Sequence, residues 1–402
     1  MLSSKLFRFI LGFSILLPAA SLTAQADVPF LAEYKASYLQ MSAKARANPD
    51  SVGAQLMLTA PGPTVTTAFG HVALRVYTKL NDDTQDFYVD FGNYEESVAF
   101  VRKFLSGSAL FYTKAIPTTM AIDQWAVSGR GVITYKLVMT REEKARFLAA
   151  VEDAIKKTEG GYTYHNFRQN CVTYIRDILE KTYATPIELN AAHLAEGDTW
   201  RSRVVKYSRA ISWLQLGENY WFNYLTDQKK NGRDVVYLPY DLYQAVVDGG
   251  HINGDRLVLK DRWAVRFDRQ DWSGWLFIVV FAIGFLLQLA PGSWGTRGRA
   301  SVFIFSGFTG LVVWVVTLFT EYDFMARNAL FFAVCPFDFA LLSNRVMEKI
   351  RPWLKPFAFA RVGLWILALV ICLILPQKSF TALALSGLAW SCFLISVLRG
   401  ER

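Results

Sequence analysis

The chain has 402 residues, of which 52% are hydrophobic, 12 are Trp and only 19% are charged. That balance is too apolar for one ordinary soluble domain, so the surplus has to be concentrated in segments that leave water. The net charge of +9 is partly accounted for by basic loops between apolar C-terminal runs, and it is not read as nucleic-acid binding.

Residues 1–26 carry Lys5 and Arg8, then an apolar run from Phe9 to Leu22, then Ala24-Gln25-Ala26. This order of charge, apolar core and small residues predicts a secretory signal, with the mature chain starting at Asp27. An uncleaved anchor is the alternative, but the run is short for a spanning helix. Residues 27–260 read as an exported α+β domain. Helical spacing covers Asp27–Asn48, and strands are expected at Leu56–Thr59, His71–Tyr77, Phe87–Asp90, Leu110–Ile116 and Gly131–Met139, where β-branched and aromatic residues lie between turn signals. Thr140 with Glu142 and Glu143 caps a helix over Arg141–Thr158, which Gly160-Gly161 ends. A second helix, Cys171–Lys181, has apolar Val172, Ile175, Ile178 and Leu179 and places the Cys in its first turn.

Residues 261–272 read as an interfacial collar, with Trp263, Trp272 and nearby Trp275 suited to a membrane boundary. Residues 273–402 contain five apolar segments, 273–290, 301–320, 328–342, 362–375 and 380–398, which predict an all-α transmembrane bundle. The third is short and holds Cys335-Pro336-Phe337-Asp338, so it reads as broken or re-entrant, and Asp338 is the one charge found inside the apolar runs. Five crossings from an exported domain put Arg297, Arg299, Arg345, Lys349, Arg351, Lys355, Arg361, Arg399 and Arg402 inside, against Arg327 and Lys378 outside. That distribution satisfies the positive-inside rule.

Of the 4 Cys in the chain, only Cys171 lies in the exported part. A thiol without a disulfide partner in an oxidising compartment is a liability unless buried or used. At a helix N-terminus, after the loop 164–170, the helix dipole and free N–H groups favour a thiolate and can also receive an oxyanion. His71 follows Gly70 and opens a strand, a position for a rigidly held base, and Asp90 on the next strand is placed to accept its second ring hydrogen. The plain alternatives stay open: Cys171 as a small core residue, Asn170 as a helix cap, His71 as a structural histidine, His165 as a loop residue, Asp90 as a turn former before Gly92. The His residues are far apart and form no HxxxH or CxxC pair, so no metal site is expected. No GxSxG occurs.

At these residues the sequence resembles a known family. The strings Phe69-Gly70-His71-Val72-Ala73-Leu74-Arg75-Val76, Asp90-Phe91-Gly92 and Tyr164-His165-Asn166-Phe167-Arg168-Gln169-Asn170-Cys171-Val172-Thr173 look like the periplasmic domain of the Lnb-type lipoprotein N-acyltransferases. That domain is related to the permuted papain-like (NlpC-type) group that includes lecithin:retinol acyltransferase. The match covers about residues 55–260, and the apolar C-terminal part resembles the family's membrane region. The resemblance implies a bacterial inner-membrane, multi-pass enzyme with its catalytic domain in the periplasm. Cys171 would be the nucleophile, His71 the base and Asp90 the third polar group, supported by Asn170 and His165. Asp90 departs from the pattern, since that place is more often Asn in the family. A phospholipid would be the acyl donor and an apolipoprotein the acceptor, with no cofactor. The outer loop with Glu321, Asp323, Arg327 and Asn328 would be a candidate substrate contact. A papain-like peptidoglycan amidase and a non-catalytic membrane-anchored binding module are the competing readings.

Overall fold

The computed structural model describes residues 28–64, 66–80, 83–95, 97–263 and 269–400; the expected secretory signal and the centre of the collar lie outside them. The expected first helix is present as α1 (Val28–Ala47). The strands are β1 (Val52–Thr59), β2 (His71–Leu80), β3 (Asp83–Asn93), β4 (Leu110–Pro117), β5 (Val132–Leu137), β6 (Tyr162–Thr163) and β7 (Ile252–Leu259). They form one sheet in the order β6-β4-β3-β2-β1-β5-β7, and every neighbouring pair is antiparallel. Between them run α2 (Val98–Ser106), α3 (Thr118–Ser128), α4 (Arg141–Lys157), α5 (Cys171–Tyr183), α6 (Trp200–Ser208), α7 (Ser212–Trp221) and α8 (Pro239–Asp248).

Alternation along the strands decides the layers. In β2, Val72, Leu74 and Val76 are fully buried on one face, while His71, Ala73 and Arg75 take the other. Helices α4 and α5 cover the first face through Phe147, Leu148, Val151, Ile175, Ile178 and Leu179. Each such side chain contributes about 1.5–3 kcal/mol by leaving water. Helix α3 covers the second face, where Ala121 and Trp125 pack against Ala73 and Tyr88. The capping box expected at Thr140 is formed with Glu143. Strand β7 and helices α2, α3, α6, α7 and α8 are additions to the sequence reading. β7 is an edge strand with exposed residues through its centre, so no apolar alternation marks it.

The C-terminal part contains α9 (Trp275–Leu287), α10 (Ser293–Phe319), α11 (Leu330–Ala333), α12 (Asn344–Ile350), α13 (Leu354–Ile374) and α14 (Phe380–Leu398). Among the described residues, three stretches are long and apolar enough to cross a membrane: Ser293–Phe319, Asn344–Ile374 and Phe380–Leu398. The run 273–290, expected to span, holds only the 13 helical residues of α9. Hydrogen-bonded turns extend it at both ends, from Trp275 N to the Trp272 carbonyl and from Ala290 N to the Leu287 carbonyl. Pro291 and Gly292, with φ at 68°, turn the chain after it. The run 328–342 is broken, as its Cys335-Pro336 suggested: α11 stops at Ala333 and a 3₁₀ turn takes over at Pro336–Leu342. It lies against α10, where Gly310 has no side chain to collide with the Cys335 backbone.

One charge assignment is corrected. Arg361 was counted in a basic loop and Asp338 as the sole charge inside the apolar runs. Helix α13 instead starts at Leu354, because Pro356 falls in its first turn, where proline is tolerated, and it carries Arg361 into the bundle. There Nη2 donates to Asp338 Oδ2 at 2.8 Å and to Ser306 Oγ at 3.2 Å, and the guanidinium lies 4.2 Å from the Trp390 ring.

Candidate active site

Gly70, with φ at 80°, turns the chain into β2; a side chain there would meet the Thr59 carbonyl at 2.8 Å. His71 is the first residue of the strand and pairs opposite Thr59. β3 runs beside β2 with Leu74 opposite Val89, and its pairing with β4 shifts register between Asp90 and Asn93. That irregularity sits where a side chain must be aimed. The Tyr162 hydroxyl donates to the Phe91 carbonyl, and the Phe91 ring stacks on Tyr174 at 5.2 Å, so the end of β3 is held against α5.

The three predicted groups converge. His71 Nδ1 is 3.6 Å from Cys171 Sγ, and His71 Nε2 donates to Asp90 Oδ1 at 2.9 Å. Asp90 Oδ1 also accepts from Gly92 N at 2.7 Å. Asp90 is 4% exposed, so its carboxylate is withdrawn from solvent. Cys171 is partly exposed. Gly92 makes the convergence possible: a Cβ there would lie 2.6 Å from His71 Cε1 and 3.3 Å from both Asp90 Oδ1 and Cys171 Cβ. Trp125 of α3 packs on the imidazole with ring centroids 5.6 Å apart.

Burial works against a charge on His71, but the Asp90 carboxylate and the Cys171 sulfur outweigh it and push the ring from 6.5 up to about 10. Burial also opposes the Asp90 carboxylate, yet His71, Lys114 and the Gly92 N–H hold it below its ordinary 3.8. Lys114, opposite Asp90 on β4, is lowered by burial, which the carboxylate partly offsets. A base oriented by a buried anion, in contact with a thiol, is the arrangement for nucleophilic catalysis by sulfur.

Asn170 is the helix cap and more. Its Oδ1 accepts from Val172 N at 2.9 Å and Thr173 N at 3.0 Å, and its Nδ2 donates to the Asn166 and Tyr237 carbonyls at 2.7 and 3.1 Å. The N–H groups expected to be free for an oxyanion are therefore reduced by this cap. Among the described residues nothing accepts from the N–H of Cys171 itself, a donor that could receive an oxyanion.

His165 orients the loop that delivers Cys171. Its Nδ1 accepts from Phe167 N and Arg168 N at 3.2 Å each, so the proton sits on Nε2, which donates to Asp323 Oδ1 at 3.3 Å. Arg168 adds a contact of 2.5 Å to Asp323 Oδ2. Asn223 donates to the Asp323 carbonyl at 2.6 Å, and Asn328 donates to the Tyr220 carbonyl at 2.7 Å and accepts from Gln377 at 2.9 Å. In the loop expected to contact substrate, Asp323 and Asn328 have these internal partners, while Glu321 and Arg327 are exposed. His193 pairs with Asp248 at 3.0 Å and His251 stacks on Tyr183 at 3.6 Å, so neither joins the thiol. Among the described residues, no group of three or more His, Cys, Asp and Glu is placed to hold a metal ion. Sequence reasoning missed Trp125 and Lys114, which lie in or opposite elements that carry no local motif, and gave Gly92 no role beyond the turn.

Two family descriptions match the chain: the Lnb N-terminal periplasmic domain over residues 39–205 and the Lnb transmembrane domain over residues 272–399. No curated protein and no solved structure matches it. The two matches follow one another in chain order, the first carrying His71, Asp90 and Cys171 and the second the apolar helices. This chain belongs to the Lnb family, as a membrane protein with a periplasmic N-terminal domain.

Proposed function

We propose that the protein transfers a fatty acyl group from a phospholipid to the N-terminal amine of a lipoprotein, through a thioester on Cys171. The observation that carries this reading is the contact of the Cys171 thiol with an imidazole anchored by Asp90, at 3.6 and 2.9 Å, on a domain joined to apolar helices. His71 Nδ1 takes the thiol proton, and Sγ attacks the ester carbonyl carbon. The N–H of Cys171 receives the oxyanion. Collapse breaks the ester C–O bond, and the leaving alkoxide takes the proton from His71 and departs as lysophospholipid. The α-amine of the lipoprotein Cys then attacks the thioester. It loses a proton to His71, an amide forms, the C–S bond breaks, and the sulfur recovers its proton.

We read the domain as permuted papain-like, because the base lies on a strand that precedes the helix carrying the nucleophile. A multi-pass position in the inner membrane fits this chemistry, since both donor and acceptor are lipid-bound and a tethered thiol gains effective concentration towards each. The test is N-acylation of a diacylglyceryl-Cys lipopeptide in phospholipid vesicles, with mass spectrometry of Cys171. Cys171→Ala and Cys171→Ser should both abolish product and adduct while the protein still accumulates in the membrane. Full activity in Cys171→Ala would overturn the mechanism, and cleavage of muropeptides without an acyl adduct would favour a cell-wall hydrolase instead.

A further inference from the structure

Helix α2 has an outer edge that the active site does not use. Its inner residues Phe100 and Phe104 pack onto the core. On the outer edge Val101 and Leu105 stand one turn apart, 42% and 57% exposed, with Arg102 and Lys103 exposed beside them. A single exposed Leu is ordinary. This pair, however, is tied to the end of an apolar span: Ser106 O accepts from Glu321 N at 2.7 Å and Leu105 O from Thr320 Oγ1 at 3.4 Å. Those residues directly follow α10, whose last two, Leu318 and Phe319, are 58% and 71% exposed. The apolar outer surface of the bundle therefore continues from Phe319 onto Leu105. Behind α2 the Phe104 ring lies 5.7 Å from Tyr164, which starts the loop leading to Cys171.

We propose that α2 is an in-plane interfacial helix, with Val101 and Leu105 seated among the acyl chains of the outer leaflet and Arg102 and Lys103 among its phosphates, so that phospholipid reaches Cys171 sideways from the bilayer. An apolar edge flanked by cations is what such a helix presents to lipid. The seating stands on the exposed edge and its tie to α10; the route to Cys171 rests on the acyl-transfer reading.

The seating is tested without activity. Leu105→Cys in a Cys171→Ala chain is labelled with an environment-sensitive fluorophore in phosphatidylglycerol and phosphatidylethanolamine vesicles, and the signal of the labelled Cys171→Ala chain is subtracted. Blue-shifted emission, quenched by nitroxides on the lipid chains and sheltered from aqueous iodide, is expected. Emission typical of water and quenched by iodide overturns the proposal. The route is tested by Val101→Asp/Leu105→Asp in the otherwise native chain. Acylation of Cys171 by vesicle phospholipid should fall about tenfold or more, since two apolar anchors are lost, while acylation by a water-soluble short-chain ester is kept. Leu105→Phe should keep both rates. Equal loss of both rates, or loss of neither, overturns the route. Absence of any adduct in the native chain, with blue-shifted Leu105→Cys, would strike the acyl-transfer reading and leave the seating intact.

Discussion

Gly92→Ala isolates the geometry of the proposed catalytic group from its chemistry. No left-handed backbone is required at Gly92, so the added methyl acts through contact alone. It would lie 2.6 Å from His71 Cε1, whereas two carbons rest at about 3.5–4.0 Å. The imidazole has to retreat by about 1 Å, and it cannot do so freely, because Trp125 packs on it and Asp90 holds Nε2. Its Nδ1 then leaves the 3.6 Å contact with Sγ. A displacement of about 1 Å in a reacting group costs about 100-fold in rate, near 2.7 kcal/mol at 1.36 kcal/mol per tenfold. The assay is the first-order rate of Cys171 acylation in vesicles, read by mass spectrometry, with Gly160→Ala as the control, since a Cβ at Gly160 meets nothing within 4 Å. A Gly92→Ala rate equal to that of the control would refute the claim that His71 and Cys171 must sit at this distance to react.

Asp90→Asn keeps an acceptor for His71 Nε2 but removes the charge that raises the ring, so the imidazole should titrate well below about 10 and back towards 6.5. A raised value means that the His71 charge stabilises the fold fully below 6.5 and that the benefit is lost as pH rises to about 10. The difference in Tm between native protein and Asp90→Asn should therefore narrow across that window, and a constant difference would count against the pairing. Asp323→Ala breaks the contacts with His165 and Arg168, at 3.3 and 2.5 Å. With Asp323 and Arg168 well exposed, the loss of stability should be about 0–1 kcal/mol, whereas kcat should fall severalfold at unchanged KM as the Cys171 loop loosens. A fall in Tm with native kcat would reduce this contact to a structural one.

The parts legible in the sequence are those written in local patterns. β2 alternates, Thr140 and Glu143 spell a capping box, and Asn170 before Cys171 marks a helix start, so the thiol and the strand-borne His71 could be placed on their elements. Their meeting across 100 positions was inferred from chemistry, and Asp90 from strand order. What was not legible depends on contacts between distant segments. Trp125 gains its place only when α3 folds over the sheet, and Lys114 only when β4 pairs with β3. The partners of the loop at Asp323, namely His165, Arg168 and Asn223, lie far away in the chain and no local pattern marks them.

The Arg361–Asp338 pair bears on how the bundle holds together. A lone arginine at the middle of an apolar segment costs about 2.5–3.5 kcal/mol on insertion scales, so α13 by itself carries a penalty that its apolar neighbours must overcome. The preceding segment is no better equipped alone, since it is broken at Pro336 and carries a carboxylate. Together each supplies what the other lacks, with Ser306 of α10 as a third partner. The two segments are thereby coupled in energy: the cost of burying either charge is compensated only where residues 330–374 pack together against α10, so neither half of the pair is favourable in lipid without the other.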